Sequence, residues 1–264
     1  MIANIYQALS EIEKNNESAA LCTVVQSEGS TPRHVGSKML VYSDGRFIGT
    51  VGGGELESRV IKAALESLRD GKAQNLSYTM ADPARGDPGV CGGTVEVFVE
   101  PILPSAMIVV IGGGHVGRAV VHLAKWLGFR VAVSDDRAEF CNPESIPGAD
   151  AYYPVPMAEL PSQLKVTRQT YLVITSRGSA IDAAGMPSLL DSDAAYIGVI
   201  GSKRRWLTTV KALKEKGVSE EKIARVHSPM GLELNAETPE EIAVSIMAEI
   251  LMLRDKGTGR MMKD

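Results

Sequence analysis

The chain has 264 residues, 44% of them hydrophobic and 23% charged, with a formal net charge of −4. That length can bury core enough for one large or two modest domains, while the near-neutral balance argues against nucleic acid as a partner and no acidic block marks a disordered tail. No apolar run has the length of a membrane span or the form of a secretory signal, and the three cysteines, Cys22, Cys91 and Cys141, are odd in number and widely spaced. A disulfide framework is therefore disfavoured and a cytoplasmic protein without membrane contact is expected. No histidine stands at ligand spacing from another histidine or cysteine, so a zinc site is not expected.

In chain order, Ile2, Ile5, Leu9 and Ile12 predict a helix over residues 2–15. Residues 19–26 read as a buried strand, with Cys22 as a small core residue. After a loop over 27–36, strands at 38–42 and 46–51 flank Ser43-Asp44-Gly45 as a hairpin. Gly52, Gly53 and Gly54 then open a helix that runs to about Asp70, with Leu56, Val60, Ala64 and Leu68 on one face. Three glycines at a helix start cost backbone entropy; they form either a tight turn under a neighbouring element or a second helix N-terminus bared to a ligand. Glu55 either complements the helix dipole or hydrogen-bonds a ligand donor. A strand near 75–80, a turn-rich loop over 82–93 and a strand over 94–100 follow. Cys91 lies in that loop beside Gly92 and Gly93, where a thiol is either inert or touches a ligand. Pro101, Pro104 and Ser105 mark a boundary that divides the chain into domains 1–103 and 104–264.

The second part alternates strands and helices, the pattern of a parallel sheet. Strands are expected at 108–111, 130–134, 151–153, 170–175, 194–200 and near 225–227, with helices after the first, fourth and fifth, the fifth-strand helix running over 203–216. Thr238 as N-cap, Pro239 at the first helical position and Glu241 at the third predict a capping box for the last helix, whose apolar face carries Ile242, Ile246 and Ile250.

The run Ile108-Val109-Val110-Ile111 followed by Gly112, Gly114 and Gly117 has the GxGxxG spacing of a phosphate cradle. Gly112 permits the turn, Gly114 lets a phosphate approach the backbone, and Gly117 lets the helix pack on its strand. Asp135 ends the next strand 23 residues after Gly112, the position of a ribose-binding carboxylate, with Arg137 leaving room for a 2′-phosphate. Ligands of such sheets lie beyond the carboxyl ends of the strands, which nominates the loops 112–117, 176–179 and 201–205. Lys203, Arg204 and Arg205 oppose the dipole of the helix they open, a cost that a bound anion offsets; Arg177 supplies a further cation, and Asp182 is either a helix-turn carboxylate or a partner for a ligand amine. His115 either faces the phosphate or points away, His227 falls on the ligand side, His34 is a surface residue and His122 packs or is solvated within its helix. None forms a hydrolytic triad by spacing.

Gly29-Ser30-Thr31-Pro32-Arg33, Gly49-Thr50-Val51-Gly52-Gly53-Gly54, Cys91-Gly92-Gly93, the turn Gly112 to Gly117, Gly201-Ser202-Lys203-Arg204 and Glu237-Thr238-Pro239-Glu240-Glu241 occur together in this order. The set resembles the XdhC/CoxI family, accessory proteins of xanthine dehydrogenase and related molybdenum hydroxylases. The resemblance implies an α/β protein in which an N-terminal α+β domain of XdhC type precedes a Rossmann-like parallel-sheet domain. It also implies a chaperone role: binding molybdenum cofactor (molybdopterin), supporting its sulfuration and delivering it to the apo-enzyme of a molybdenum hydroxylase, with a cysteine desulfurase as a further partner. Two positions depart from the family pattern: Glu55 stands where some members carry a cysteine after the triple glycine, and Ser179 stands at a histidine position. The nominated cofactor-binding residues are Gly52, Gly53, Gly54, Glu55, Cys91, Gly112, Gly114, His115, Gly117, Asp135, Arg177, Ser202, Lys203 and Arg204, on the expectation that amides of both halves grip one anionic guest. The alternatives are an NAD(P)-dependent oxidoreductase and a nucleotide-sensing regulator. A homodimer is expected, to cover the edges of the N-terminal sheet.

Overall fold

The computed structural model describes residues 2–15, 17–80 and 92–263. The chain divides into two compact units, Met1–Pro104 and Ser105–Asp264. The first contains α1 (Ile2–Asn15), β1 (Ala19–Glu28), β2 (Lys38–Tyr42), β3 (Phe47–Gly49), α2 (Gly54–Asp70), β4 (Gln74–Thr79) and β5 (Thr94–Ile102). Its strands pair antiparallel in the order β3-β2-β1-β5-β4. Side chains alternate between faces along a strand, so β1 sends Ala20, Cys22 and Val24 to one side, where they meet Val95, Val97 and Val99 of β5 and Leu56, Val60 and Ala64 of α2. Ala19 and Leu21 go to the other side, against Ile5, Ala8 and Ile12 of α1. Burial pushes the Cys22 thiol up to about 12, as befits a core side chain rather than a nucleophile. Pro101, read from the sequence as part of a boundary, instead lies inside β5 opposite Ala20. The strand accommodates it because β4 stops opposite Val99 and leaves one side open.

The second unit runs β6 (Met107–Ile111), α3 (His115–Trp126), β7 (Arg130–Ser134), β8 (Ala151–Tyr153), α4 (Leu160–Gln163), β9 (Thr170–Ile174), α5 (Ser179–Leu190), β10 (Tyr196–Val199), α6 (Lys203–Glu215), α7 (Glu220–Ala224), β11 (Val226–His227) and α8 (Pro239–Arg254). All of its strand pairs are parallel, in the order β11-β10-β9-β6-β7-β8. The chain builds outward from β6 to β8, then returns to the other side of β6 for β9 to β11. This is the doubly wound Rossmann-like arrangement, with its topological switch between β6 and β9. One sheet face packs Val110, Val133 and Val173 under α3 and α8; the other packs Val109 and Leu172 under α5 and α6. Burial on both faces explains the unbroken apolar runs of β6 and β9. The short α7 was not expected from the sequence, and the 137–149 stretch holds a 3-10 turn at Ala138–Phe140. Among the described residues no helix is long and apolar enough to cross a membrane.

The last helix has the predicted capping box: Thr238 Oγ1 accepts the Glu241 N–H at 3.2 Å and the Glu241 carboxylate accepts the Thr238 N–H at 3.0 Å. A less visible tie holds its far end. Glu249, only 8% exposed, accepts the Tyr196 hydroxyl at 2.7 Å and the Gly231 N–H at 2.6 Å and pairs with His227 Nδ1 at 2.9 Å. His227, placed on the ligand side by sequence, is thus engaged with α8 and stacks on Tyr196 at 4.8 Å between ring centroids.

Burial alone would raise the Glu249 carboxyl, but its hydrogen bonds from His227, Tyr196 and Gly231 outweigh it and hold the group below the usual carboxylate range. The stability this contributes is complete above the unfolded carboxyl value of roughly 4.3 and is lost as pH falls from there through the lower folded value. Acid titration of the folded fraction by circular dichroism should show Glu249→Gln less stable by about 2 kcal/mol at neutral pH, with a flatter acid limb than the wild type. A second expectation concerns the glycine turn. A Cβ on Gly117 would lie 2.0 Å from the Gly112 carbonyl oxygen, so Gly117→Ala should cost about 1–3 kcal/mol in urea unfolding.

Candidate functional site

The carboxyl ends of β6, β7 and β9 open into a cleft of about 280 Å³. Gly112 and Gly114 form one wall, Asp135, Asp136 and Arg137 the second, and Thr175, Ser176 and Arg177 the third. Ile111, Val155, Pro156, Met157, Ile181 and Ala184 supply an apolar lining. The glycines have distinct tasks. Gly112 has φ +118° and its Cβ would strike the Thr175 carbonyl at 2.5 Å, whereas a Cβ on Gly113 would meet the Phe140 carbonyl at 1.9 Å. Gly113, which the motif leaves as a variable position, is therefore fixed by the 138–140 turn lying over it. Gly114 is different: a Cβ there would meet nothing within 4 Å. It is the N-cap of α3, with extended backbone (φ −71°, ψ −172°) and no side-chain cap, so the first N–H groups of the helix have no capping oxygen of their own. Gly178, the N-cap of α5, likewise supplies none.

Asp135 is 6% exposed. Its Oδ2 accepts the Gly113 N–H at 2.9 Å and Arg137 Nη2 at 2.9 Å, and its Oδ1 accepts the Arg137 N–H at 3.0 Å and Arg137 Nε at 2.9 Å. Burial opposes ionisation here, but the Arg137 side chain and the Gly113 and Arg137 amides prevail and hold the carboxyl below its ordinary value. In this geometry the carboxylate that spacing nominates for a ribose serves the glycine turn and Arg137. Arg177 reaches across the rim to Asp136, with Nη2 at 2.9 and 2.8 Å from its two oxygens.

The remaining predicted residues fall elsewhere. Gly117 lies under the turn, against Gly112. His115 is exposed at the first position of α3 and, with His122, lines a separate groove between α3 and α8; helix phase turns it away from the cleft. Ser202 is the N-cap of α6, its Oγ accepting the Arg205 N–H at 3.3 Å, and Lys203 and Arg204 are exposed. Of the three cations that open α6, the one that reaches the Ser176 wall is Arg205. Its Nη2 donates to Asp182 Oδ2 at 2.7 Å, Ser176 Oγ at 2.9 Å and the Ser176 carbonyl at 3.2 Å, while Ser176 Oγ donates to Asp182 Oδ1. Asp182 is fully buried, so this triplet fixes the Ser176 wall. Arg205 Nε is buried without a hydrogen-bond partner among the described residues. The signal in the sequence was periodicity: Arg205, Thr209 and Leu213 recur at i, i+4 and i+8, and the last two are buried.

In the first unit, Gly52, Gly53 and Gly54 all have positive φ (150°, 83° and 60°). Gly52 packs beneath Pro32, whereas Gly53 and Gly54 are open, and α2 has no side-chain cap. Thr50 Oγ1 accepts the Gly52 N–H at 3.2 Å and donates to Glu57. Glu55 is exposed and pairs with Arg59 at 3.1 Å. Cys91 lies outside the described residues. Among the described residues, no group of three His, Cys, Asp or Glu side chains is placed to hold a metal ion.

Comparison with known proteins agrees with this architecture. The family described as XdhC Rossmann domain matches residues 108–250, and that described as XdhC and CoxI family matches residues 13–79. The uncharacterized protein YqeB of Escherichia coli is 35% identical over 98% of the chain, which spans only 48% of YqeB. A probable xanthine dehydrogenase subunit of Bacillus subtilis is 24% identical, covering 97% of this chain and 99% of its own length. The molybdenum cofactor insertion chaperone PaoD of Escherichia coli is 21% identical over 91% of this chain and 85% of its own length. In fold, the chain resembles the crystal structure of a xanthine dehydrogenase from Bacillus halodurans, with a TM-score of 0.51, 21% identity and 95% of each chain covered.

The Arg205 arrangement predicts a specific coupling. Arg205→Met should strand the Asp182 carboxylate in the interior and cost about 3 kcal/mol. Combining it with Asp182→Leu should cost less than the two single changes added together, a non-additivity readable from a urea-denaturation double-mutant cycle.

Proposed function

We propose that this chain, which belongs to the XdhC and CoxI family, is an accessory protein that binds molybdenum cofactor in the cleft of its second unit and delivers it to an apo molybdenum hydroxylase. The observation that carries this reading is the open start of α3: an uncapped helix N-terminus whose N-cap, Gly114, faces free space at the mouth of an apolar-lined cleft. Helix N-termini favour phosphate through unpaired N–H groups and the macrodipole, and molybdopterin carries a phosphate. The aliphatic lining from Val155 to Met157 and at Ile181 suits a flat heterocycle. The names of the PaoD and Bacillus subtilis relatives support a molybdenum-enzyme context.

In this reading the residues of the chain bind and orient rather than react. The Gly114 edge holds the phosphate, the apolar floor excludes water from the ring system, and the Ser176 wall is kept rigid by Arg205 and Asp182. Glu55 cannot carry a persulfide, so this chain would hold the cofactor during sulfuration, and the sulfur would come from a partner, a cysteine desulfurase. The same reading places the protein in the cytoplasm as a homodimer, its contacts formed along the sheet edges at β3 and β4.

Gly114→Ser tests the reading cleanly. The backbone already has N-cap geometry, so a serine hydroxyl should satisfy the helix amides internally and raise stability by a few tenths of a kcal/mol, while competing with a ligand phosphate for the same donors. Retention of molybdopterin through gel filtration, followed by pterin fluorescence, should be firm for the wild-type chain and fall by about tenfold in Gly114→Ser. Equal retention by both would remove the helix start from the binding site, and no retention by the wild type would refute the function.

A further inference from the structure

The end of β7 presents charge in an arrangement that excludes one ligand class and favours another. A carboxylate offers about four lone-pair sites, and the two oxygens of Asp135 receive four donors, one from Gly113 and three from Arg137. None is left for the paired hydroxyls of a ribose. Arg137 is held by Asp135 and by the Phe140 ring, whose centroid lies 3.9 Å from the guanidinium carbon, and its Nε also lies 4.0 Å from Asp136 Oδ1. It still lines the cleft, and its Nη1 group has no hydrogen-bond partner among the described residues. Beside it, Arg177 is engaged, among the described residues, only with Asp136, and both side chains are nearly half exposed. Exposed pairs of this kind are worth about 0–1 kcal/mol, so an incoming anion can recruit Arg177 at little cost. The facing groups are the two carboxylates, each already paired, and the Ser134 and Ser176 hydroxyls.

We infer that the β7 corner of the cleft is a phosphate-recognition site that rejects a vicinal ribose diol, with Arg137 as its anchor, Arg177 as the recruited second cation and Asp136 as the competing anion. A ligand with a further phosphate, besides the one seated at the start of α3, would place it at this corner. This inference rests on the cleft being the binding site proposed above, and it adds a second recognition point to that cleft.

NADP+ and NAD+ differ only by a phosphate in place of a ribose hydroxyl and serve as the probe pair, measured by isothermal titration calorimetry on the full chain. The wild type should bind NADP+ at least about tenfold more tightly than NAD+. Asp136→Asn, an exposed change, should widen that preference, whereas Arg137→Gln should bring the two affinities to within about threefold and improve NAD+ binding by freeing Asp135. Equal affinities in the wild type, a preference for NAD+, or no binding of NADP+ would each overturn the inference, as would a preference left unchanged by Arg137→Gln in folded protein. Molybdopterin retention by the same preparation separates the two claims. Retention without the phosphate preference defeats the corner assignment alone, and the preference without retention defeats the proposed function alone.

Discussion

The cleft owes its shape to one buried carboxylate. By accepting the Gly113 amide, Asp135 ties the end of β7 to the glycine turn after β6, and by accepting three donors from Arg137 it fixes the first residues of the following loop. The turn at 138–140 then lies close over Gly113, where its carbonyl leaves no room for a Cβ. Two neighbouring strand ends are thereby joined into one wall, and the start of α3 is left as the open edge. An ion pair this enclosed needs all of its hydrogen bonds to offset desolvation, and here every lone-pair site of the carboxylate is used.

The same economy of donors distinguishes the helix starts of the second unit. Ser202, Ser219 and Thr238 cap α6, α7 and α8 with side-chain oxygens, whereas α3 and α5 begin at glycines that offer none. The single-turn α4, begun at Glu159, also lacks a side-chain cap, but of the longer helices the two uncapped ones follow β6 and β9, the strands on either side of the topological switch. Sheet topology and capping chemistry therefore point to one place independently, and the buried Asp182–Arg205 pair stiffens its third wall.

Much of the fold was legible because it is written in local periodicities. The apolar run of β6, the alternation along β1 and the Thr238 to Glu241 capping box each need only a few consecutive residues to be read. The candidate site was legible in part. Glycine spacing located the turn, but the task of Gly113 depends on Phe140, and the saturation of Asp135 depends on how Arg137 folds back. Among three consecutive cations only the phase of α6 decides that Arg205 turns inward while Lys203 and Arg204 face solvent, and a buried Thr209 and Leu213 one and two turns on mark that phase. His227 and Glu249 are 22 residues apart, so nothing local in the sequence announces their pairing. Pro101 misled for a related reason: whether a strand tolerates proline depends on where its neighbour ends.

The central claim, that the open start of α3 is the phosphate seat of the bound cofactor, is tested most directly by a crystal structure of the full chain grown with molybdopterin. The account predicts phosphate density within hydrogen-bonding distance of the first amides of α3, at Gly114, with the ring system over Val155 to Met157. Density in the groove between α3 and α8, or a phosphate seated away from the α3 amides, would contradict it.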